Sequence, residues 1–311
     1  MTFSALPARL RDAWRHQQPY QKLLTATGLL LLASGAAHGI VFLVSGTPWE
    51  GPLSWRKPTL FGFSFGITAV TIALVASYLP LRRWLGWALL GSLAVFSLLE
   101  TALITMQTWR GVPSHFNDTT AFDGAVFSAM GAAVAVIALV LVVLTVLCFT
   151  SLRAPAASLA WAIRAGMVLL VVGQALGALI IAVGVSQLVG DGDATAFGPS
   201  GVVFGEGGIL KSPHGVALHA IQVLPLLAWL ALLTSWPEGR RRRAVLGATA
   251  GYTLVLGVVG YQALTGRAPL ALDVLSLLLL LGIGVVAIAA AYAAVAWHLL
   301  SRPARRPVAL P

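Results

Sequence analysis

Eight separate stretches of this chain, at 23–45, 59–79, 84–109, 125–149, 159–185, 215–235, 244–265 and 274–300, are apolar enough and long enough to cross a bilayer. A hydrocarbon core takes about 20 residues of helix, and only helices and closed barrels satisfy their own backbone groups where water is absent. Continuous apolar runs of this length specify an all-α, polytopic membrane protein with eight transmembrane helices. The composition agrees, with 58% of the 311 residues hydrophobic and only 10% charged, and a mean hydropathy of +0.89. Cys148 is the single cysteine, so disulfides within the chain and thiolate metal clusters are excluded.

A sequence pI near 10.8 invites a nucleic-acid reading, but the placement of the charge argues for topology instead. Fifteen of the twenty basic residues fall in the N-terminal segment and in alternate loops: Arg9, Arg11, Arg15 and Lys22, Arg82 and Arg83, Arg153 with Arg164, Arg240 to Arg243, and Arg302, Arg305 and Arg306. The intervening loops hold seven of the ten acids. Such asymmetry is the mark of cytoplasmic loops, so both termini are expected in the cytoplasm. Seventeen arginines against three lysines suggest a GC-rich bacterial gene. The expected setting is therefore a bacterial cytoplasmic (inner) membrane, with the lipid bilayer as partner and no nucleic acid.

The chain divides into a cytoplasmic segment 1–22, a four-helix half 23–149, a second four-helix half 159–300 carrying an extracytoplasmic loop 186–214, and a basic tail 301–311. The halves read as a duplication. Lys57-Pro58 precedes span 2 much as Ser212-Pro213 precedes span 6, and Gln107 with Gly111 recurs 155 residues later as Gln262 with Gly266. Asp123 and Asp273 each stand before the last span of a half. Four spans per half would make the repeats parallel, related by a pseudo-twofold axis along the membrane normal. GxxxG pairs at Gly35 and Gly39, Gly62 and Gly66, Gly173 and Gly177, and Gly247 and Gly251 are expected to be packing seams within the bundle.

Glu100 stands out because a carboxylate inside a span is costly unless it faces a partner or a wet cavity. Ser97, Glu100, Ile104, Gln107 and Gly111 share one helical face by their spacing, and this column leads to Arg110 and His115. Counting from the outer helix ends, His38 lies roughly 10 Å deep and Glu100 roughly 14 Å, while His219 and Gln222 lie roughly 6 and 10 Å below His214 at the rim. Glu100 is the candidate catalytic residue. His38, His219, Gln222, Gln107, Arg110, His115 and His214 are candidate cofactor-binding residues, with His38 and His219 as metal ligands, since imidazole suits iron, copper and zinc. Each histidine also has a plainer reading as a hydrogen bond between helices, and Arg110 and His115 are expected at the water interface.

Gln174-Ala-Leu-Gly-Ala-Leu followed by Val-Ala-Leu-His219 resembles, over roughly 50 residues, heme A synthase, another eight-span bundle of two four-helix halves. The resemblance is architectural: that family's Glu-x-x-His element has no match in span 2 or span 6, and span 8 carries its histidine at the opposite end. Activity is not carried over. The leading expectation is an outer-side His/Glu pocket holding a haem or a transition metal for redox chemistry. The alternatives are a proton-coupled small-molecule transporter using Glu100 and His38, and a lipid-modifying membrane enzyme. A small molecule, or a quinone or lipid, is expected to arrive from the outer side.

Overall fold

In a computed structural model the described residues are 14–49, 51, 53–191, 209–268 and 275–301, with the side chains of 187–191 and 276 set aside. Among them there is no strand. Eight long helices make up the fold: α1 (Pro19–Ser45), α2 (Arg56–Ala76), α3 (Arg83–Trp109), α4 (Ala121–Thr150), α5 (Ala157–Asp191), α6 (Lys211–Leu232), α7 (Glu238–Leu264) and α8 (Leu275–Leu300). All eight are long and apolar enough to span a membrane. The chain is thus an all-helical, multi-pass integral membrane protein. The loop expected at 186–214 and the acids around Asp273 fall mostly outside the described residues.

The helices begin earlier than hydropathy indicates, because their first turns carry polar residues. Arg56, Lys57 and Pro58 are the first turn of α2, Lys211 to Pro213 that of α6, and Glu238 to Arg241 that of α7. Proline is at ease there, since its missing N–H would have had no partner in the helix. One turn of π-helix, Trp87–Gly91, sits inside α3. It lies beside Gly86, where a Cβ would come 2.4 Å from the Tyr20 ring.

Backbone contact at glycine holds the closest pairs. In α1 and α2, a Cβ on Gly62 would lie 2.6 Å from the Gly35 Cα, and one on Gly28 would lie 2.7 Å from the Gly66 carbonyl oxygen. In α5 and α6, Gly173 and Gly177 face Leu218 and His214. In α7 and α8, Gly251 meets Gly284. Gly39 and Gly247 have no such close neighbour, so two of the four GxxxG pairs serve as seams through one glycine only.

The halves repeat several local features. Gly111 and Gly266 both adopt positive φ, 69° and 73°, and each ends its helix with the same pattern of bonds. The N–H of Val112 donates to the Gln107 carbonyl and that of Arg267 to the Gln262 carbonyl, a Schellman-type cap for which glycine carries no steric penalty. The chain orders α1–α2 and α5–α6 pack as close pairs, as do α3–α4 and α7–α8.

The core is polarised along the bundle. Toward the arginine-rich end it is packed by apolar side chains such as Leu24, Ile72, Leu90, Leu144, Ile163 and Leu224, each essentially inaccessible. The buried ionisable side chains His38, Arg56, Glu100 and Asp123, with Gln107, Ser114 and Asn117, belong to the opposite end, while the polar side chains buried at the arginine-rich end, among them Gln21, Ser158 and Thr234, are uncharged. The end that holds the ionisable groups is called the His115 end below.

Candidate functional site

The predicted column on α3 faces inward as its spacing requires: Ser97, Glu100, Ile104 and Gln107 are all buried. Glu100 is completely inaccessible, and neither carboxyl oxygen has a hydrogen-bond partner. Ile104, one turn further along α3, belongs to a small apolar cluster with Val126 and Met130, against which Phe61 and Phe127 pack. The nearest polar group is the Nε2 of His115, 3.8 Å from the Glu100 Oε1.

The α3–α4 connection delivers that imidazole. The Asn117 amide donates to the Pro113 carbonyl at 3.0 Å, and the Asn117 Oδ1 accepts from both the N–H and the hydroxyl of Thr119. These bonds close a tight reversal in which Ser114, Phe116 and Asn117 are buried. Phe116 has φ of 56°, the one non-glycine residue with positive φ among those described. For a bulky side chain this is strained, and it is held by packing on Phe127 and His115. The loop thereby turns His115 back into the bundle, between Phe61, Phe116 and Phe127, with its Nδ1 3.0 Å from the Ser114 hydroxyl. The residue expected at the water interface is thus an inward plug. Asn117, the first residue of a sequon match, is buried in the same turn.

Burial pushes the His115 imidazole down to about 3, and the positive charge of Lys57 works in the same direction. An imidazole in water takes up a proton near about 6.5. His115 therefore stays neutral down to about pH 5, and acidification from about 6.5 toward 3 favours the unfolded chain, which binds the proton more readily. Ring-nitrogen NMR of histidine-labelled protein, with His115→Gln assigning the signal, should show this ring unresponsive across that range. A titration midpoint near about 6 would put the ring in water.

Gln107 and Arg110 are engaged elsewhere. The Gln107 amide donates to the Asp123 Oδ1 at 2.9 Å, the Arg110 guanidinium pairs with the same oxygen at 2.6 Å and also donates to the Gln107 side-chain Oε1, and the Thr120 hydroxyl donates to the Asp123 Oδ2 at 2.7 Å. Thr120 in turn accepts from the Asp123 N–H as the cap of α4. This network ties the end of α3 to the start of α4, and the sequence offered its signal in Thr120 three residues before Asp123.

The helical histidines belong to two further clusters. His38 accepts from the Trp109 indole N–H at 3.2 Å through Nε2, so its Nδ1 carries the proton and donates to the Ser34 carbonyl at 2.8 Å. Its ring stacks on Trp55 and lies edge-on to Trp109. His219 and Gln222 bridge α6 to α2: the His219 Nδ1 lies 3.2 Å from the Gln222 Oε1, its Nε2 lies 3.4 Å from the Ser64 hydroxyl, and the Gln222 amide donates to Thr68. His214 sits 2.7 Å from the Gly173 carbonyl through Nδ1. Glu100 thus meets His115, while His38 and His219 keep separate company. Ser64, Thr68 and Ser114 went unremarked in the sequence because hydroxyls in apolar helices and loops carry no distinctive spacing.

Among the described residues no group of three or more His, Cys, Asp or Glu side chains is placed to hold a metal ion. Both ring nitrogens of His38 and of His219 already face protein partners. A haem or metal on either would have to displace these bonds.

The fold and this buried acid define a multi-pass membrane protein with a polar, occluded end. No family model, curated protein or solved structure matches the chain.

Proposed function

We propose that this is a proton-coupled membrane carrier for a small solute, with Glu100 as the proton site and His115 as its exchange partner. The observation that carries the reading is a carboxyl group with no accessible surface, no hydrogen bond, and one neutral imidazole 3.8 Å away. An ionised carboxylate without donors in apolar surroundings costs several kcal/mol or more, so the resting group is the neutral acid. An approach of about 1 Å would bring the Glu100 hydroxyl into hydrogen-bond distance of the His115 Nε2. Any passage of the proton to the ring is transient, because burial and the charge of Lys57 hold the imidazole down to about 3, so the proton returns to Glu100 or leaves by way of Nδ1 and the Ser114 hydroxyl.

The arginine-rich end is assigned to the cytoplasm by the asymmetry of basic residues, which turns the His115 end outward from a bacterial cytoplasmic membrane. The packed apolar core below Glu100 then acts as the closed inner gate of an occluded carrier. The pairing of Ser64 with His219, 155 residues apart, and the matching caps at Gly111 and Gly266 support a pseudo-twofold relation between the halves, since a twofold axis brings equivalent positions face to face. Haem or metal binding at His38 or His219 is the weaker reading, given their occupied ring nitrogens.

Infrared spectroscopy tests the proton site without knowledge of the solute. The wild type should show a protonated carboxylic acid band at neutral pH that is absent from Glu100→Gln, while the variant still folds. A spectrum without that band, or a band that survives the substitution, would overturn the assignment.

A further inference from the structure

At the arginine-rich end, the turn between α2 and α3 and the end of α4 leave a half-open cavity of about 290 Å³. Leu79 and Arg82 of the turn, Trp84 and Leu85 at the start of α3, and Leu147 with Ser151 at the end of α4 line it. Its walls are fixed before anything enters, because the Arg153 N–H donates to the Tyr78 carbonyl at 2.8 Å and so joins the two connections. The lining is mostly apolar, and beside the Trp84 indole N–H its polar side chains are Arg82 and Ser151. At about 30 Å³ each, roughly ten waters would fill the space, and these groups are too few to give each the 2–4 partners it needs. Arg82 is exposed, and among the described residues no hydrogen bond or ion pair engages its guanidinium. Arg164, by contrast, is committed to the end of α4, where its Nε donates to the Cys148 carbonyl at 2.9 Å. Dry leucine walls beside a free guanidinium and an indole that is 66% exposed make an amphipathic cavity, apolar inside and cationic at its edge.

We propose that this cavity seats one anionic phospholipid of the surrounding bilayer, with its phosphate on Arg82 and Ser151 and the top of an acyl chain against Leu85 and Leu147. The guanidinium fork matches two phosphate oxygens at once, and the Ser151 hydroxyl has the Thr150 hydroxyl beside it at 3.3 Å, too long to hold its proton firmly. Basic pockets between helices at a membrane face suit anionic headgroups, and an exposed indole is their usual neighbour. A soluble phosphate would leave the leucine walls uncovered, which favours a lipid as the carrier of the charge. The site lies at the opposite end of the bundle from Glu100 and does not rest on the proton reading.

The test uses the full chain in phosphatidylcholine nanodiscs to which phosphatidylglycerol of the same acyl chains is added in steps, read by native mass spectrometry and thermal unfolding. The wild type should retain one phosphatidylglycerol per chain after phosphatidylcholine has been stripped, and should melt higher as its share rises. Arg82→Gln should weaken that retention about tenfold or more, as loss of a charged hydrogen bond does. It changes an exposed side chain, so it should melt like the wild type in pure phosphatidylcholine, which certifies its fold. Leu147→Trp, which fills the cavity, should also remove the retained lipid. Arg243→Gln, at an exposed arginine of α7 at the same end, should keep it. Equal retention of the two lipids, retention that survives Arg82→Gln, or an equal loss in Arg243→Gln, the mark of diffuse attraction to a basic surface, overturns the proposal. So does inorganic phosphate that stabilises the chain in pure phosphatidylcholine at constant ionic strength, since that marks a site for a soluble anion.

Discussion

Gly62→Leu should leave little or no correctly assembled protein. A Cβ at this position would stand 2.6 Å from the Gly35 Cα, 2.7 Å from the Gly35 nitrogen and 2.8 Å from the Leu31 carbonyl oxygen. All three are backbone atoms, so no rotamer change on α1 can make room. The helices must separate, and in lipid their pairing rests on close van der Waals contact rather than on exclusion of water. Even Gly62→Ala is expected to cost about 1–3 kcal/mol, the usual range for overpacking, with leucine beyond it. Gly39→Ala is the control, since its Cβ would meet only the Thr59 Cγ2 at 3.6 Å. The yield of monodisperse protein and its melting temperature should collapse for Gly62→Leu and stay unchanged for Gly39→Ala. Wild-type behaviour of Gly62→Leu would mean that α1 and α2 do not touch there.

How much of this was legible from the residues depends on the kind of signal. The eight spans were, because length and apolarity alone decide whether a segment crosses a bilayer. Their starts were not, since Arg56, Lys211 and Arg240 are helical residues that hydropathy assigns to loops. Glu100 was legible as a violation of an apolar run, and its inward face followed from the period of the helix. Its partner was not. Periodicity gives the face of one helix but not which helix lies opposite, so His38 and His219 looked as suitable as any imidazole. His115 was placed in water because it lies in a loop, whereas the reversal from Pro113 to Asn117 and the strained Phe116 fold that loop inward. Proline followed by asparagine is a turn signal, but nothing local says that a turn will point into the membrane. Gln107 and Arg110 were recognised as polar at a helix end, and their commitment to Asp123 is a fact of tertiary structure.

Glu100→Met should make the protein more stable while removing the proposed proton site. Both carboxyl oxygens of Glu100 lack a hydrogen bond in a site with no exposure, so the folded state carries the desolvation of a polar group with nothing gained in return. A buried polar group without a partner costs about 1–3 kcal/mol on mutational scales. Methionine is similar in length, adapts its shape, and asks for no hydrogen bond in this inaccessible position. A gain of about 1–3 kcal/mol is therefore expected, read as a higher melting temperature in detergent or nanodiscs. Glu100→Gln should show no such gain, because its amide has the same unmet needs. The sign of the effect is what discriminates. A carboxyl group kept for packing or for a helix-to-helix bond would make Glu100→Met destabilising, and a lower melting temperature would refute the proton-site reading together with the claim that the group is unpartnered. A stabilised but inactive variant would instead show that the chain keeps a destabilising acid because its chemistry requires one, the usual trade between stability and activity at a functional site.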